Sequence, residues 1–181
     1  MTKQLQSHFF IKTQRKNRPD MRKKFEQQLN LGVIPIGAVK INLKTRHQLA
    51  PILLGLQYLF KDENLSEQAF EIVSDKVLSG KKATGRLGMS LWEILVLATV
   101  RLSLGIDYDF LLDHANEHQT LRGMLGVGRS DFTQEKEYKY QTVVDNVSLL
   151  DEQTIKKINA LVVQAGHQII KKKTKKNLIP D

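Results

Sequence analysis

From His47 onward, apolar residues recur every three or four positions, the spacing that lines up one face of an α-helix. Leu49, Ile52, Leu53, Leu56 and Phe60 form the first such stripe, with Pro51 in the opening turn, where its missing N–H is tolerated. Asn64 and Glu67 have capping-box spacing and predict a second helix that turns Phe70, Val73 and Val77 inward and ends before Gly80. The clearest start signal is Ser90 with Glu93, flanked by Met89 and Ile94 at the positions of a hydrophobic staple. The segment that follows, LWEILVLATVRLSL, is apolar on nearly every face up to Leu104, as expected of a buried central helix. Gly105 should stop it, Asp107 should cap the next helix (YDFLLDHANEH), and a short helical turn, TLRGML, should end at Gly126. Residues 127–139 are polar and irregular and read as an exposed loop. Two further helices are predicted, over 141–150 and after a cap at Asp151, the second carrying a stripe of Ile155, Ile158, Val162, Ala165 and Ile169.

Upstream of residue 47 the pattern weakens. Residues 1–18 carry little periodicity, and Pro19 and Asp20 open a short helix with Met21, Phe25 and Leu29 on one face and Gly32 as its stop. The stretch 33–43, with Pro35 and Gly37, reads as an extended linker or short strand. No internal repeat is visible, and nothing alternates convincingly over strand length. The fold class expected is therefore all-α: a compact multi-helix domain with a helix-turn-helix-like element, a flexible basic N-terminal arm and a Lys-rich tail. The expected organisation is an arm, short helix and linker over 1–45, a helical domain over 46–170 and the tail over 171–181.

Charge changes this picture. The formal net charge is +9, but residues 1–24 hold eight Lys or Arg against Asp20 alone (+7), and 171–181 hold five Lys against Asp181 (+4). That leaves −2 for residues 25–170, a nearly neutral body between two basic ends. Lys-rich ends keep a protein soluble, and they also bind phosphate backbones through counterion release, without choosing a sequence. With no cysteine, a disulfide framework and a thiolate metal site are excluded. The opening MTKQLQSHFF lacks the apolar stretch of a secretory signal, and the longest apolar run, from Leu49 to Phe60, falls short of the ~20 residues a bilayer span needs. A cytoplasmic protein with no membrane partner is expected.

Candidate chemistry is sparse. The segment GKKATGRLG, from Gly80 to Gly88, places Lys81, Lys82 and Arg86 before the helix capped at Ser90, which suits a clamp on a phosphate backbone. It is a near miss for a phosphate-binding nucleotide loop: Arg86-Leu87 stands where Lys-Ser or Lys-Thr is required, so nucleotide hydrolysis is rejected. In the 141–150 helix, Val143, Val144, Val147 and Leu150 are assigned inward and Gln141, Thr142, Asp145, Asn146 and Ser148 outward. Amides and hydroxyls are the groups that pair with base edges in the major groove, although Asp145 is unfavourable beside phosphates and an ordinary solvated face explains the same pattern. His114 and His118 stand four apart on one helix, but no third ligand is evident; Asp107, Asp109 and Asp113 lie near one another, but Asp107 is better explained as a helix cap. No nucleophile and base stand in a catalytic arrangement.

One string, GRLGMSLWEILVLATVRLSLGIDYDFLLDHANEHQTLRGMLGV, resembles the N-terminal region of DDE-type insertion-sequence transposases, in which a Gly-Arg-x-Gly segment precedes a hydrophobic helix. MRKKFEQQLNLGVIPI, YQTVVDNVSLLDE and INALVVQAGH extend the likeness over roughly residues 21–170. The resemblance implies binding of double-stranded DNA at the ends of a mobile element, with Gln141, Thr142 and Asn146 on a reading helix and Arg86 in the Gly-Arg loop; Lys81, Lys82 and Lys139 join them as candidate DNA-binding cations. In that family a separate core with three carboxylates and two divalent metals cuts the DNA. It would lie beyond residue 170, where this chain runs through KKKTKKNLIPD. The expectation is thus a truncated, core-less module with no catalytic residue, cofactor, metal or small-molecule substrate. It would associate with itself or with full-length transposase. The alternatives are a helical interaction module acting through its long last helix and one half of a split transposase.

Overall fold

The computed structural model describes residue 25 and residues 34–79, 88–128 and 136–163. The helix expected after Pro19 (apart from Phe25), the Lys81, Lys82 and Arg86 loop, the middle of the 127–139 loop, and the chain after 163 lie outside the described residues. Every regular element among those described is helical. They are a 3₁₀ turn at Ile36–Ala38, then α1 (Leu49–Lys61), α2 (Glu63–Leu78), α3 (Leu91–Leu104), α4 (Tyr108–Glu117), α5 (Gln119–Met124), α6 (Tyr140–Val147) and α7, described over 152–163. None of these helices is long and apolar enough to cross a membrane.

Helix α3 is the axis of the fold. Each residue from Leu91 to Val100 is buried, and α1, α2, α4 and α6 all pack against it. Its start is the capping box read from sequence: the Glu93 backbone N–H donates to Ser90 Oγ at 3.2 Å, and the Ser90 N–H donates to the Glu93 carboxylate at 2.9 Å. Its end is Gly105 at φ +64°, a left-handed conformation that glycine adopts without a Cβ penalty. Burying a Leu or Ile side chain fully contributes about 1.5–3 kcal/mol, so Ile94, Leu95 and Leu97 together anchor the core. Trp92 stacks at a tilt on Phe60, 4.8 Å between centroids, and its indole N–H donates to the Met124 carbonyl at 2.7 Å, tying α3 to the end of α5.

Several boundaries differ from the sequence expectation. Residues 33–43 were expected to be extended, yet Ile36 and Val39 are buried around the 3₁₀ turn. The cause lies in α1, where the buried Gln57 amide donates to the Ile36 and Val39 carbonyls at 2.9 and 2.8 Å. Helix α2 starts two residues early because Asp62, not Asn64, accepts the Leu65 N–H at 3.0 Å. Helix α6 starts at Tyr140 and gives way to turns after Val147 instead of running to 150. The caps at Asp107 and Asp151 stand where expected, accepting from Phe110 N–H and Thr154 N–H, both at 2.9 Å.

Candidate nucleic-acid interface

The segment 136–138, part of the expected exposed loop, keeps Lys136 and Glu137 exposed but buries Tyr138, and forms a clasp just before α6. Tyr138 is 3% exposed, and its hydroxyl donates to the Glu93 carboxylate at 2.6 Å. The Lys136 ammonium donates to that same carboxylate oxygen. Asn116, in the last turn of α4, pairs with the Tyr138 backbone in both directions, donating to its carbonyl at 3.0 Å and accepting its N–H at 2.9 Å. The buried Arg122 guanidinium reaches the carbonyls of Asn116 at 3.0 Å and Lys136 at 3.4 Å. Glu93 therefore has two roles: one oxygen completes the α3 cap, and the other holds the chain entering α6. Burial alone would raise its pKa, but the Lys136 charge and the hydrogen bonds from Lys136, Tyr138 and Ser90 outweigh it and hold the pKa below the ordinary value. The Tyr138 hydroxyl is pushed well above its usual range by burial and by the neighbouring carboxylate.

From this clasp the chain turns outward. Lys139, Tyr140, Gln141 and Thr142 are exposed in succession, with Tyr140 45% exposed. Val143 and Val147 point into the core against α3 and α4. Asp145 is exposed and accepts a hydrogen bond from the Gln141 amide at 2.6 Å. Asn146, assigned outward from sequence, is instead 7% exposed and donates to the Thr142 carbonyl at 2.7 Å. The reason is helical geometry: at 100° per residue, position 146 stands about 60° from Val143, closer than Val144 does. Asn146 thus faces inward, and the outward groups that can meet a ligand are Lys139, Tyr140, Gln141 and Thr142. Lys81, Lys82 and Arg86 fall outside the described residues, so the structure does not relate them to this turn.

A second cluster was only half visible in the sequence. The His114 and His118 rings stack within 1° of parallel, 6.0 Å between centroids, and His47 joins them at 6.1 and 6.4 Å. No signal in the sequence linked His47 to the pair. Among the described residues no group of three His, Cys, Asp or Glu is arranged to hold a metal ion. The hydrogen bonds give a physical reason. His47 Nδ1 accepts the Leu49 N–H at 3.1 Å and His118 Nδ1 accepts the Leu121 N–H at 3.3 Å, so both neutral rings carry their proton on Nε2. Only His114, whose Nδ1 donates to the Phe110 carbonyl at 2.8 Å, presents a bare Nε2.

No family model matches this chain, and no curated protein or solved structure matches it either.

Proposed function

We propose that the chain binds double-stranded DNA through the outward turn that opens α6, in the manner expected of the N-terminal region of an insertion-sequence transposase at the ends of its element. The observation that carries this reading is the run Lys139–Tyr140–Gln141–Thr142, exposed on a helix start that hydrogen bonds from Glu93, Asn116 and Arg122 tie to the core. Residues at the start of a reading helix are the ones that reach base edges, and fixed geometry is what makes such contacts selective. Lys139 supplies a cation for the backbone, Thr142 a hydroxyl, and Gln141 an amide that pairs with adenine once its bond to Asp145 is exchanged. The basic runs in 1–24 and 171–181 add affinity that does not depend on sequence.

The test is fluorescence anisotropy of the full chain on duplex DNA across a salt series. Lys139→Ala should weaken binding on every sequence alike and reduce the salt slope by about one. Gln141→Ala and Thr142→Ala should leave the slope intact and erase about 1–3 kcal/mol of preference between sites. Absence of binding even at low salt refutes the proposal. A second reading, a helical interaction module, is favoured by an apolar groove of ≈ 250 Å³ between α1, α3 and α7, lined by Ile52, Leu56, Leu59, Ile158 and Val162. A mass that rises with concentration, without salt-dependent DNA affinity, would select it.

A further inference from the structure

We infer that His47, His114 and His118 form a proton-sensitive latch, which holds the segment before α1 against the α4–α5 corner when the rings are neutral and lets it go when they are charged. The three rings come from separate places: His47 just before α1, His114 in the last turn of α4, and His118 at the junction where α5 begins. Two of the rings accept a backbone N–H at a helix start, His118 as the N-cap residue and His47 from the position before the N-cap Gln48. His118 accepts the Leu121 N–H of α5, and His47 accepts the Leu49 N–H at the start of α1. A neutral imidazole has one lone pair for this purpose, and an imidazolium has none. Protonating either ring therefore removes its cap and turns an N–H against an N–H.

Charge on His118 is disfavoured for further reasons. The rings lie within 6.4 Å of one another, so a second proton meets the first. Helix starts present unpaired N–H groups, which repel a cation. The charged groups on the surrounding elements offer little relief. Lys40, Lys44 and Arg46 on the His47 segment are cations, and Lys61 is at the far end of α1. Arg122 on α5 is turned to the Ala115 and Asn116 carbonyls. Asp109, Asp113 and Glu117 on α4 are exposed, and none of the ion pairs described joins a carboxylate to one of the three rings. Burial, followed by the His114 and His47 charges, lowers the His118 pKa from 6.5. Protons have a route in, because His47 is exposed and a cavity of ≈ 100 Å³ lined by Asn42, Thr45, His47, His118 and Thr120 adjoins the cluster.

The sign follows from the lowered pKa. The unfolded chain binds this proton more readily than the folded one, so the latch stabilises fully above pH 6.5 and loses that stabilisation as pH falls through the folded value. What is freed is the 40–48 end of the segment, since Gln57 still holds the carbonyls of Ile36 and Val39.

Imidazole ¹⁵N NMR on the full chain tests this without any substitution. At pH 8, His47 and His118 should be Nε2–H tautomers and His114 the Nδ1–H tautomer. Between pH 6.5 and 5, exchange of the Leu49 and Leu121 amides, corrected for intrinsic rates, should rise about fivefold or more relative to α3, the equivalent of a lost cap. The His47→Asn, His118→Asn double variant keeps a non-titrating acceptor at both caps and should abolish that rise. Opposite tautomers at pH 8, or Leu121 protection that is flat across the range, would overturn the latch. So would an unchanged acid response in the double variant. None of these readouts involves DNA, so the latch and the DNA-binding proposal stand or fall separately.

Discussion

Glu93→Gln isolates the carboxylate that joins the α3 cap to the α6 clasp. The replacement has the same shape but only one carbonyl oxygen. If that oxygen stays with the Ser90 N–H, the new amide N–H₂ faces the Lys136 ammonium and the Tyr138 hydroxyl, both of which now donate to Glu93. A hydrogen bond to a charged group contributes about 1.5–3 kcal/mol, and Tyr138–Glu93 is buried, so its loss dominates. The Lys136 side chain is 53% exposed, which limits its pairing with Glu93 to about 1 kcal/mol or less. The tyrosine hydroxyl can rotate to accept from the amide, which recovers part of the total. The expected destabilisation is about 2 kcal/mol at neutral pH, a fall in Tm of about 4–8 °C for a chain of this size. Urea unfolding followed by circular dichroism should show a midpoint lower by about 1 M, at an m-value of about 2 kcal/mol/M. Combined with Tyr138→Phe, the two losses should overlap by about 1 kcal/mol instead of adding. Acid provides an internal control. The Glu93 pKa is lowered in the fold, so its contribution is present above about 4.5, the unfolded value, and is lost as pH falls through the folded value. The gap between wild type and variant should therefore narrow in acid. A loss below about 0.5 kcal/mol, the scale of an ordinary surface substitution, or a gap that does not change with pH, would refute this reasoning.

Two further substitutions probe the packing around the same frame. Trp92→Phe removes the indole donor from the buried Met124 carbonyl and part of the ring that meets Phe60, and should cost about 2–4 kcal/mol in the same denaturation experiment. Gly126→Ala should cost about 1–3 kcal/mol, because Gly126 has φ +71° and an added Cβ would lie 2.5 Å from the Phe25 ring. Gly55→Ala is the matched contrast: the site is inside α1 with nothing within 4 Å of the added Cβ, so stability should rise by about 0.5–1 kcal/mol.

What could be read from the sequence divides by range. Caps and stops are decided within three or four residues, which is why Ser90 with Glu93, Asp107, Asp151 and the left-handed Gly105 stand where the pattern placed them. The uniformly apolar segment after Ser90 had no polar face to offer to water and therefore became the centre. Local rules failed where two of them competed. Asp62 and Asn64 are both good caps with suitable spacing; the chain uses Asp62, and Asn64 is left within the first turn of α2, where its oxygen accepts the Gln68 amide at 3.2 Å. They also failed where polarity was allowed to overrule geometry, as with Asn146, whose place on the helix is inward and whose amide donates to the Thr142 carbonyl one turn back. The larger gaps are long-range. Gln57 buries the Ile36 turn from 21 positions away, Glu93 gathers Lys136 and Tyr138 across more than 40, and His47 meets His114 and His118 only because α1 and α5 pack together. No periodicity connects such partners, because each contact is set by how whole helices pack. At the start of α6, Lys139, Gln141 and Thr142, singled out from sequence, are exposed, but the clasp beside them was not legible there. If that clasp is what makes the turn selective, loosening it with Glu93→Gln should blunt discrimination between DNA sites while leaving salt-dependent affinity in place.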